Sequence, residues 1–215
     1  MPLRKHVVIT GTGRSGTTFL VELLTSLGLE TGFSIDDLVS KKSEGARAGL
    51  EYDIRESSCP YIVKSPWFCD YAEEVISRDD IEIEHIFIPI RDLDAAAESR
   101  RYVVKAAVSR LPFIEKLRHI VKPRRVDGGL WHTNSSKSGD QEEILLRQIY
   151  NLMFAVSDTC LPVTLMRYPR IAQDPQYLFE KLKLILRGVT YETFCTVFNN
   201  TVRPELVHSF SKKDF

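Results

Sequence analysis

A glycine-rich segment near the start of the chain has the residue types of an anion-binding loop. Residues 11–18 read Gly-Thr-Gly-Arg-Ser-Gly-Thr-Thr, and they follow a short run of β-branched residues. Glycines allow the backbone to curl round an anion, and the free N–H groups at the start of a following helix point at it with the favourable end of the helix dipole. The segment therefore predicts a phosphate-binding loop between a strand and a helix.

This loop differs from the common nucleoside-triphosphatase loop at one position. The spacing from Gly11 to Gly16 is the same, but Thr17 stands where that loop has its lysine. The lysine normally reaches the β- and γ-phosphates of ATP or GTP. Arg14 offers a cation within the loop instead, which suits a single phosphate beside a transferring group. The loop therefore argues against a nucleotide kinase or a GTPase.

A second possible phosphate site consists of an arginine and a serine. Arg91 ends the apolar run 86–90, and Ser99 follows eight residues later in an alanine-rich stretch. An arginine can fork onto phosphate oxygens, and a hydroxyl adds a further hydrogen bond. Such a pair is suited to hold one phosphate group. The structural alternatives are a salt bridge of Arg91 to Asp92 or Asp94 and a solvent-facing serine.

A lysine ends another apolar run, between these two motifs. Lys64 follows Ile62 and Val63, and a lysine at a strand end of an α/β sheet points into the ligand crevice. There it would stabilise negative charge on a group in transfer. A structural ion pair is the alternative interpretation of Lys64.

Together the three motifs resemble those of the P-loop sulfotransferases, which use 3′-phosphoadenylyl sulfate (PAPS) as donor. Residues 14–20 resemble the family's 5′-phosphosulfate loop, residues 86–92 with Ser99 resemble its 3′-phosphate signature, and residues 62–67 resemble its lysine-containing strand end. A weaker resemblance covers residues 165–175. The resemblance implies that the donor is bound by Gly13, Arg14, Ser15, Gly16, Thr17, Thr18, Phe19, Arg91 and Ser99.

Within that resemblance, two residues of the loop region take particular roles. Arg14 would contact the leaving phosphate and the sulfuryl oxygens. Phe19 occupies the position where the family often has an adenine-stacking tryptophan, but it also fits the core face of the helix that follows the loop. Both interpretations of Phe19 remain open at this point.

The chain departs from the cytosolic sulfotransferases where the catalytic base is expected. Their histidine two residues beyond the lysine is Pro66 here, and their C-terminal Arg-Lys-Gly clamp is missing. Arg203 either replaces the clamp or is an ordinary surface arginine. Other branches use a glutamate after the first helix, where this chain has Glu44 and Glu51. We expect Glu51 to be the base, with His132 as its competitor, because both residue types can accept the acceptor's proton.

The elements that must position these residues follow from hydrophobic periodicity. Short β-branched and aromatic runs alternate with helical patterns, which predicts an α/β fold with a mostly parallel sheet covered by helices on both faces. Asp174 and Pro175 suit the N-cap and first position of the last predicted helix. The predicted strands are 7–10, 61–64, 85–90 and 163–167, and the predicted helices run from about 19 to 28, from 94 to 107, from 141 to 156 and onward from 175.

Size and charge complete the expectations. The 215 residues suit a single domain, and Lys plus Arg and Asp plus Glu each total 29, so no global field attracts nucleic acid. Two long polar stretches, about 31–59 and 108–140, are expected to form the acceptor side.

With no secretory signal and no apolar run long enough to span a bilayer, the chain is expected to be cytoplasmic. The four scattered cysteines predict neither disulfides nor a metal site.

The expected activity is in-line transfer of a sulfuryl group from PAPS to a hydroxyl. The acceptor would be a small molecule, lipid or carbohydrate, the other product would be adenosine 3′,5′-bisphosphate (PAP), and Arg14 and Lys64 would neutralise charge. One alternative is a P-loop small-molecule kinase, which is expected to carry the lysine that Thr17 replaces. Another is a catalytically inactive nucleotide-binding protein, suggested by the missing histidine base.

Overall fold

A computed structural model describes residues 3–41, 49–110 and 139–204 of the chain. Two candidates for the catalytic base, Glu44 and His132, lie outside these ranges, as does most of the predicted loop 108–140. The other predicted loop, 31–59, is described except for residues 42–48, and it contains a short helix at Asp37–Ser40.

The sheet has four strands, all parallel, in the order β2-β1-β3-β4. The strands are β1 (Arg4–Ile9), β2 (Ile62–Lys64), β3 (Ile81–Ile90) and β4 (Val163–Arg167). This confirms the predicted α/β class. β1 and β3 begin earlier than the apolar runs do, because polar residues such as Lys5 and Glu82 still pair through their backbones.

Helices flank this sheet. Within the described ranges they are α1 (Thr17–Ser26), α2 (Asp37–Ser40), α3 (Ala72–Ile76), α4 (Leu93–Arg110), α5 (Asp140–Ser157), α6 (Pro175–Leu182) and α7 (Tyr191–Thr201), with 3-10 turns at Phe68–Asp70 and Arg170–Ala172. The sequence predicted α1, α4, α5 and α6. As predicted, Asp174 caps α6, where its carboxylate accepts a hydrogen bond from the Tyr177 N–H at 2.9 Å. In this described part of the chain, no helix is long and apolar enough to cross a membrane.

Two hydrophobic cores, one on each face, hold the sheet in place. Alternate residues of a strand point to opposite faces, so Val7 and Ile9 pack with α1, α6 and α7, whereas Val8 packs with α3 and α5. A shift of register by one residue would exchange the two sets of side chains. Burial of each side chain of this size stabilises the fold by about 1.5–3 kcal/mol, so a shifted register would be costly. The observed register therefore fixes where each strand ends.

Strand order creates a crevice between the carboxyl ends of β1 and β3. The connection after β1 leads to β2 on one side, while β3 lies on the other side of β1. Ligands of open α/β sheets bind where the chain connections diverge in this way. Ile9 is in register with Phe87, and the Thr10 N–H donates to the Phe87 carbonyl at 3.0 Å. The loops that follow β1 and β3 are therefore neighbours.

Candidate functional site

The glycine-rich loop takes a conformation that few residues other than glycine adopt. Gly13 and Gly16 have φ angles of 63° and 93°. A Cβ at Gly16 would lie 2.9 Å from Cδ2 of Tyr168, so a side chain there has no room. Arg14 has a φ of 59°, a strained value for a non-glycine residue. The loop backbone is therefore curled, as an anion-binding loop requires.

The loop leads directly into α1 and leaves the start of that helix uncapped by a side chain. Gly16 is the N-cap, and the N–H groups of a helix's first turn have no partner within the helix. Ser15 is fully buried, and its Oγ has no hydrogen-bond partner among the described residues. Backbone N–H groups at the start of a helix are the donors with which helix N-termini bind anions.

The two predicted phosphate motifs meet across the crevice. Arg14 Nε donates to Ser99 Oγ at 3.1 Å, and Arg91 Nη1 donates to the carbonyl oxygen of Arg14 at 3.1 Å. Arg14 is 85 residues from Ser99 and 77 residues from Arg91 in the sequence. Tertiary structure therefore joins the loop, the strand-end arginine and the helix serine into one cluster.

Most of the predicted donor-binding residues line one cavity at this cluster. The cavity has a volume of about 160 Å³, and Tyr168, Glu22 and Arg203 also line it. Gly13 and Ser15 belong to the loop but not to this lining. The predicted residues that line the cavity are Arg14, Gly16, Thr17, Thr18, Phe19, Arg91 and Ser99.

Phe19 belongs both to the core and to the lining of the cavity, and its stacking on an adenine stays a prediction. Its ring packs edge-on against Phe198 of α7, with the ring centroids 5.8 Å apart, and it joins the core on that face of the sheet. It also lines the cavity. A partly buried ring can do both because one side faces the core and the other faces the crevice.

Lys64 reaches the loop from the neighbouring strand. Its Nζ donates to Thr18 Oγ1 at 2.8 Å, to the Gly49 carbonyl at 2.6 Å and to Glu51 Oε1 at 3.1 Å. These three bonds use all the N–H groups of the ammonium. The Lys64 side chain is only 1% exposed, and burial lowers its pKa, while the charge of Glu51 acts in the opposite direction.

Glu51 is the candidate base that the structure describes. Its side chain is 17% exposed and forms an ion pair with Lys64, which in turn contacts Thr18 at the start of α1. Glu51 therefore lies next to the loop, one side chain away from it.

Arg100 is a further cation at this site that sequence reasoning missed. It is 1% exposed, and its Nε donates to Gln141 Oε1 at 2.8 Å. Burial, with the charge of Arg14 adding to the effect, lowers the pKa of Arg100 to about 10. The available sequence signal was helical spacing, because Arg100 lies between Ala96 and Val103 on the buried face of α4.

Tyr168, directly after β4, is the second residue given no role from the sequence. The Arg91 guanidinium lies 4.9 Å from the centre of its ring, a cation–π contact, and the same ring covers Gly16. Burial lowers the pKa of Arg91. Tyr168 thus orients the strand-end arginine and closes one side of the loop.

Metal ligands and cysteines were the other chemical candidates among the described residues. No group of three or more His, Cys, Asp or Glu side chains in the described residues is arranged to hold a metal ion. The cysteines Cys59, Cys69, Cys160 and Cys195 are free thiols, and Cys59 and Cys69 have raised pKa values, about 12, because of burial.

Comparisons with known proteins identify no relative of this chain. No family model, no curated protein and no solved structure matches it.

Proposed function

We propose that this protein is a sulfotransferase that binds PAPS and moves its sulfuryl group to a hydroxyl of a small-molecule, lipid or carbohydrate acceptor. One observation carries the proposal: hydrogen bonds join Arg14 to Ser99 and Arg91 to the loop backbone, around one cavity. A loop for one phosphate beside an arginine and serine for another suits a nucleotide phosphorylated at both its 5′ and 3′ positions.

The charges around the cavity support an anionic ligand. Arg14, Arg91 and Arg203 line it together with one carboxylate, Glu22, and Lys64 contacts Thr18 of the same lining, so the cations outnumber the carboxylate. Interactions between a bound anion and these cations are strong because the partly buried site screens them less than water does. Burial lowers the pKa of Arg91, so a phosphate beside it would stabilise its charged form.

Each step of the proposed reaction is assigned to residues of this chain. As the acceptor oxygen bonds to sulfur, the bond from sulfur to the bridging phosphate oxygen breaks, and Glu51 takes the acceptor's proton. Arg14 and Lys64 stabilise the charge that develops on the leaving oxygen. Because all three N–H groups of Lys64 are already donated, Lys64 must release Thr18, Gly49 or Glu51 to do so. His132 stays the competing base.

Calorimetric titration with PAP and, separately, with ATP and magnesium tests the proposal. We expect PAP to bind the wild type and to bind Arg91→Ala at least tenfold more weakly, which is about 1.4 kcal/mol. Arg78→Ala is the matched control, because Arg78 is ion-paired to Asp80 at the other end of the sheet. Its affinity for PAP should equal that of the wild type.

Two results would replace the proposal with an alternative. Binding of ATP with magnesium but not of PAP would support the kinase. Binding of PAP without sulfuryl transfer to any of a panel of hydroxyl acceptors, and without hydrolysis of PAPS, would support an inactive nucleotide-binding protein.

A further inference from the structure

Thr18 links the buried ammonium of Lys64 to the cavity. Nζ of Lys64 donates a hydrogen bond to Thr18 Oγ1 at 2.8 Å. Thr18 belongs to the lining of the cavity, whereas Lys64 does not, and the Lys64 side chain is only 1% exposed. The ammonium therefore lies behind the wall of the cavity, in contact with a residue that forms this wall.

The chemistry of this hydrogen bond determines how the Thr18 hydroxyl can act. A protonated lysine only donates hydrogen bonds, so Thr18 Oγ1 is the acceptor. The hydroxyl also has one hydrogen of its own, which it can donate to a further acceptor. Consecutive hydrogen bonds polarise one another, and those that involve a charged group are stronger than neutral ones. A ligand oxygen that accepts from Thr18 would therefore meet a hydroxyl polarised by a positive charge.

Two further contacts hold Lys64 on the side away from Thr18. Nζ donates to the Gly49 carbonyl at 2.6 Å and to Glu51 Oε1 at 3.1 Å. Leu50, between these two residues, is 2% exposed and belongs to the core, so the segment is anchored. Because all three N–H groups of the ammonium are donated, a direct contact with a ligand would require that one of these bonds be broken.

We propose that Lys64 is a positioning residue for anion binding, which acts on a phosphate or sulfate in the cavity through the Thr18 hydroxyl and not by a contact of its own. The inference concerns binding, which precedes any release of Lys64 during the proposed transfer. It rests on the proposed function only for the identity of the nucleotide, because the same hydroxyl would bind inorganic phosphate.

A double-mutant cycle tests whether Lys64 acts through Thr18. Thr18→Val removes the hydroxyl at nearly constant shape, and Lys64→Met removes the charge at similar volume. We expect each single variant to bind inorganic phosphate about tenfold more weakly or worse, measured by calorimetry. The double variant should lose no more than about twofold beyond the weaker single variant, since the two residues act as one unit. A direct contact of Lys64 with the anion would make the two losses multiply, which would overturn the inference.

Two further threonine variants separate the hydroxyl from packing. Thr18→Ser keeps the hydroxyl and should bind phosphate within about twofold of the wild type. Thr25→Val is the matched control, because Thr25 is a buried threonine of α1 whose hydroxyl donates to the Val21 carbonyl at 2.8 Å, and it does not line the cavity. Its phosphate affinity should equal that of the wild type. Wild-type affinity in Thr18→Val would overturn the inference, as would equal losses in Thr18→Ser and Thr18→Val.

Urea unfolding of each variant verifies that it is folded. Lys64→Met leaves Glu51 without its ion-pair partner, which destabilises the fold. If that variant does not fold, Lys64→Gln takes its place in the cycle, because glutamine keeps N–H donors without the charge.

Titrations with inorganic phosphate and with PAP separate this inference from the proposed function. If the wild type binds phosphate but shows no preference for PAP, the sulfotransferase proposal fails while the coupling of Lys64 to Thr18 remains measurable. If the wild type binds neither phosphate nor PAP, both proposals fail.

Discussion

The contacts of the cations differ between the two ends of the sheet. At the amino end, Arg4 forms an ion pair with Asp80 at 3.0 Å, and Lys5 lies 3.0 Å from Glu84. At the carboxyl end, Arg14 contacts the hydroxyl of Ser99, and Arg91 contacts a backbone carbonyl and an aromatic ring. Carboxylates contact the cations of the first end, and at the second end the contacts of Arg14 and Arg91 include a hydroxyl, a backbone carbonyl and an aromatic ring.

We therefore expect the cations of the amino end to stabilise the fold and those of the carboxyl end to bind a ligand. A carboxylate partner offsets a cation's field, and exposed pairs of this kind add about 0–1 kcal/mol to stability. A hydroxyl, carbonyl or amide orients a cation but leaves its charge to act on a ligand. Lys64 combines both arrangements, because it contacts Thr18, the Gly49 carbonyl and the carboxylate of Glu51.

The largest expected effect comes from removing a cation at the carboxyl end. Arg14→Ala should lower the rate of sulfuryl transfer, or of PAPS hydrolysis, by about 10²- to 10³-fold, because in the proposed reaction Arg14 stabilises charge on the leaving oxygen. Arg4→Ala is the comparison at the amino end, and its rate should equal that of the wild type. Similar losses of rate in both variants would show that cations at the two ends do not differ in their effect on the reaction.

The second expected effect concerns the loop's backbone. Gly16→Ala should lower the free energy of unfolding by about 2–3 kcal/mol, since it adds a contact of 2.9 Å with Tyr168 to the cost of a positive φ. Gly28→Ala carries the φ cost alone, about 1 kcal/mol, because a Cβ there meets nothing within 4 Å. Urea unfolding measures both, and equal losses would show that the close contact contributes nothing.

A smaller effect is expected from pH at the amino half of the sheet. Burial lowers the pKa of His6 and of His85 below the ordinary value of 6.5. The unfolded chain therefore binds more protons than the folded chain as pH falls through 6.5, so the free energy of unfolding should decrease. Urea unfolding between pH 7.5 and 5.5 measures this slope.

Two substitutions identify the histidines responsible for that slope. His6→Asn keeps a donor for the Pro60 carbonyl, and His85→Gln keeps a partner for Thr164, but neither replacement titrates. The double variant should show a shallower slope than the wild type. An unchanged slope would assign the pH dependence to other groups.

The smallest effect is expected at the ion pairs of the amino end. Asp80→Asn removes the carboxylate that contacts Arg4 and Arg78, so the urea midpoint should fall slightly. The affinity for PAP should stay within about twofold, because Asp80 is remote from the loop. A large loss of PAP affinity in this variant would mean that the two ends of the sheet are coupled.

Much of the fold was predictable because its elements have strong periodic patterns. The four strands and α1, α4, α5 and α6 follow from apolar runs and helical spacing. α2 and α3 have only four and five residues, too few for a period to be recognised. α7 was missed although Phe194 and Phe198 have helical spacing and Thr190 caps the helix.

The site was predictable where its residues follow strand ends. The loop, Lys64 and Arg91 come directly after β-branched runs, and parallel strands bring their carboxyl ends to one edge. The contact between Arg100 and Gln141 has no such signal, because it joins residues 41 positions apart through packing of α4 on α5. The contact of Tyr168 with Arg91 likewise depends on how β4 lies beside β3.

The sequence by itself determined the α/β class and the location of the glycine-rich loop, because periodicity and glycine conformation are local properties. Tertiary structure alone decided which groups the cations contact. Arg14 meets Ser99 across 85 positions, and Lys64 meets Thr18 across 46. Burial and neighbouring groups set the field of a charge, and both are fixed only when strand order and helix packing bring distant residues together.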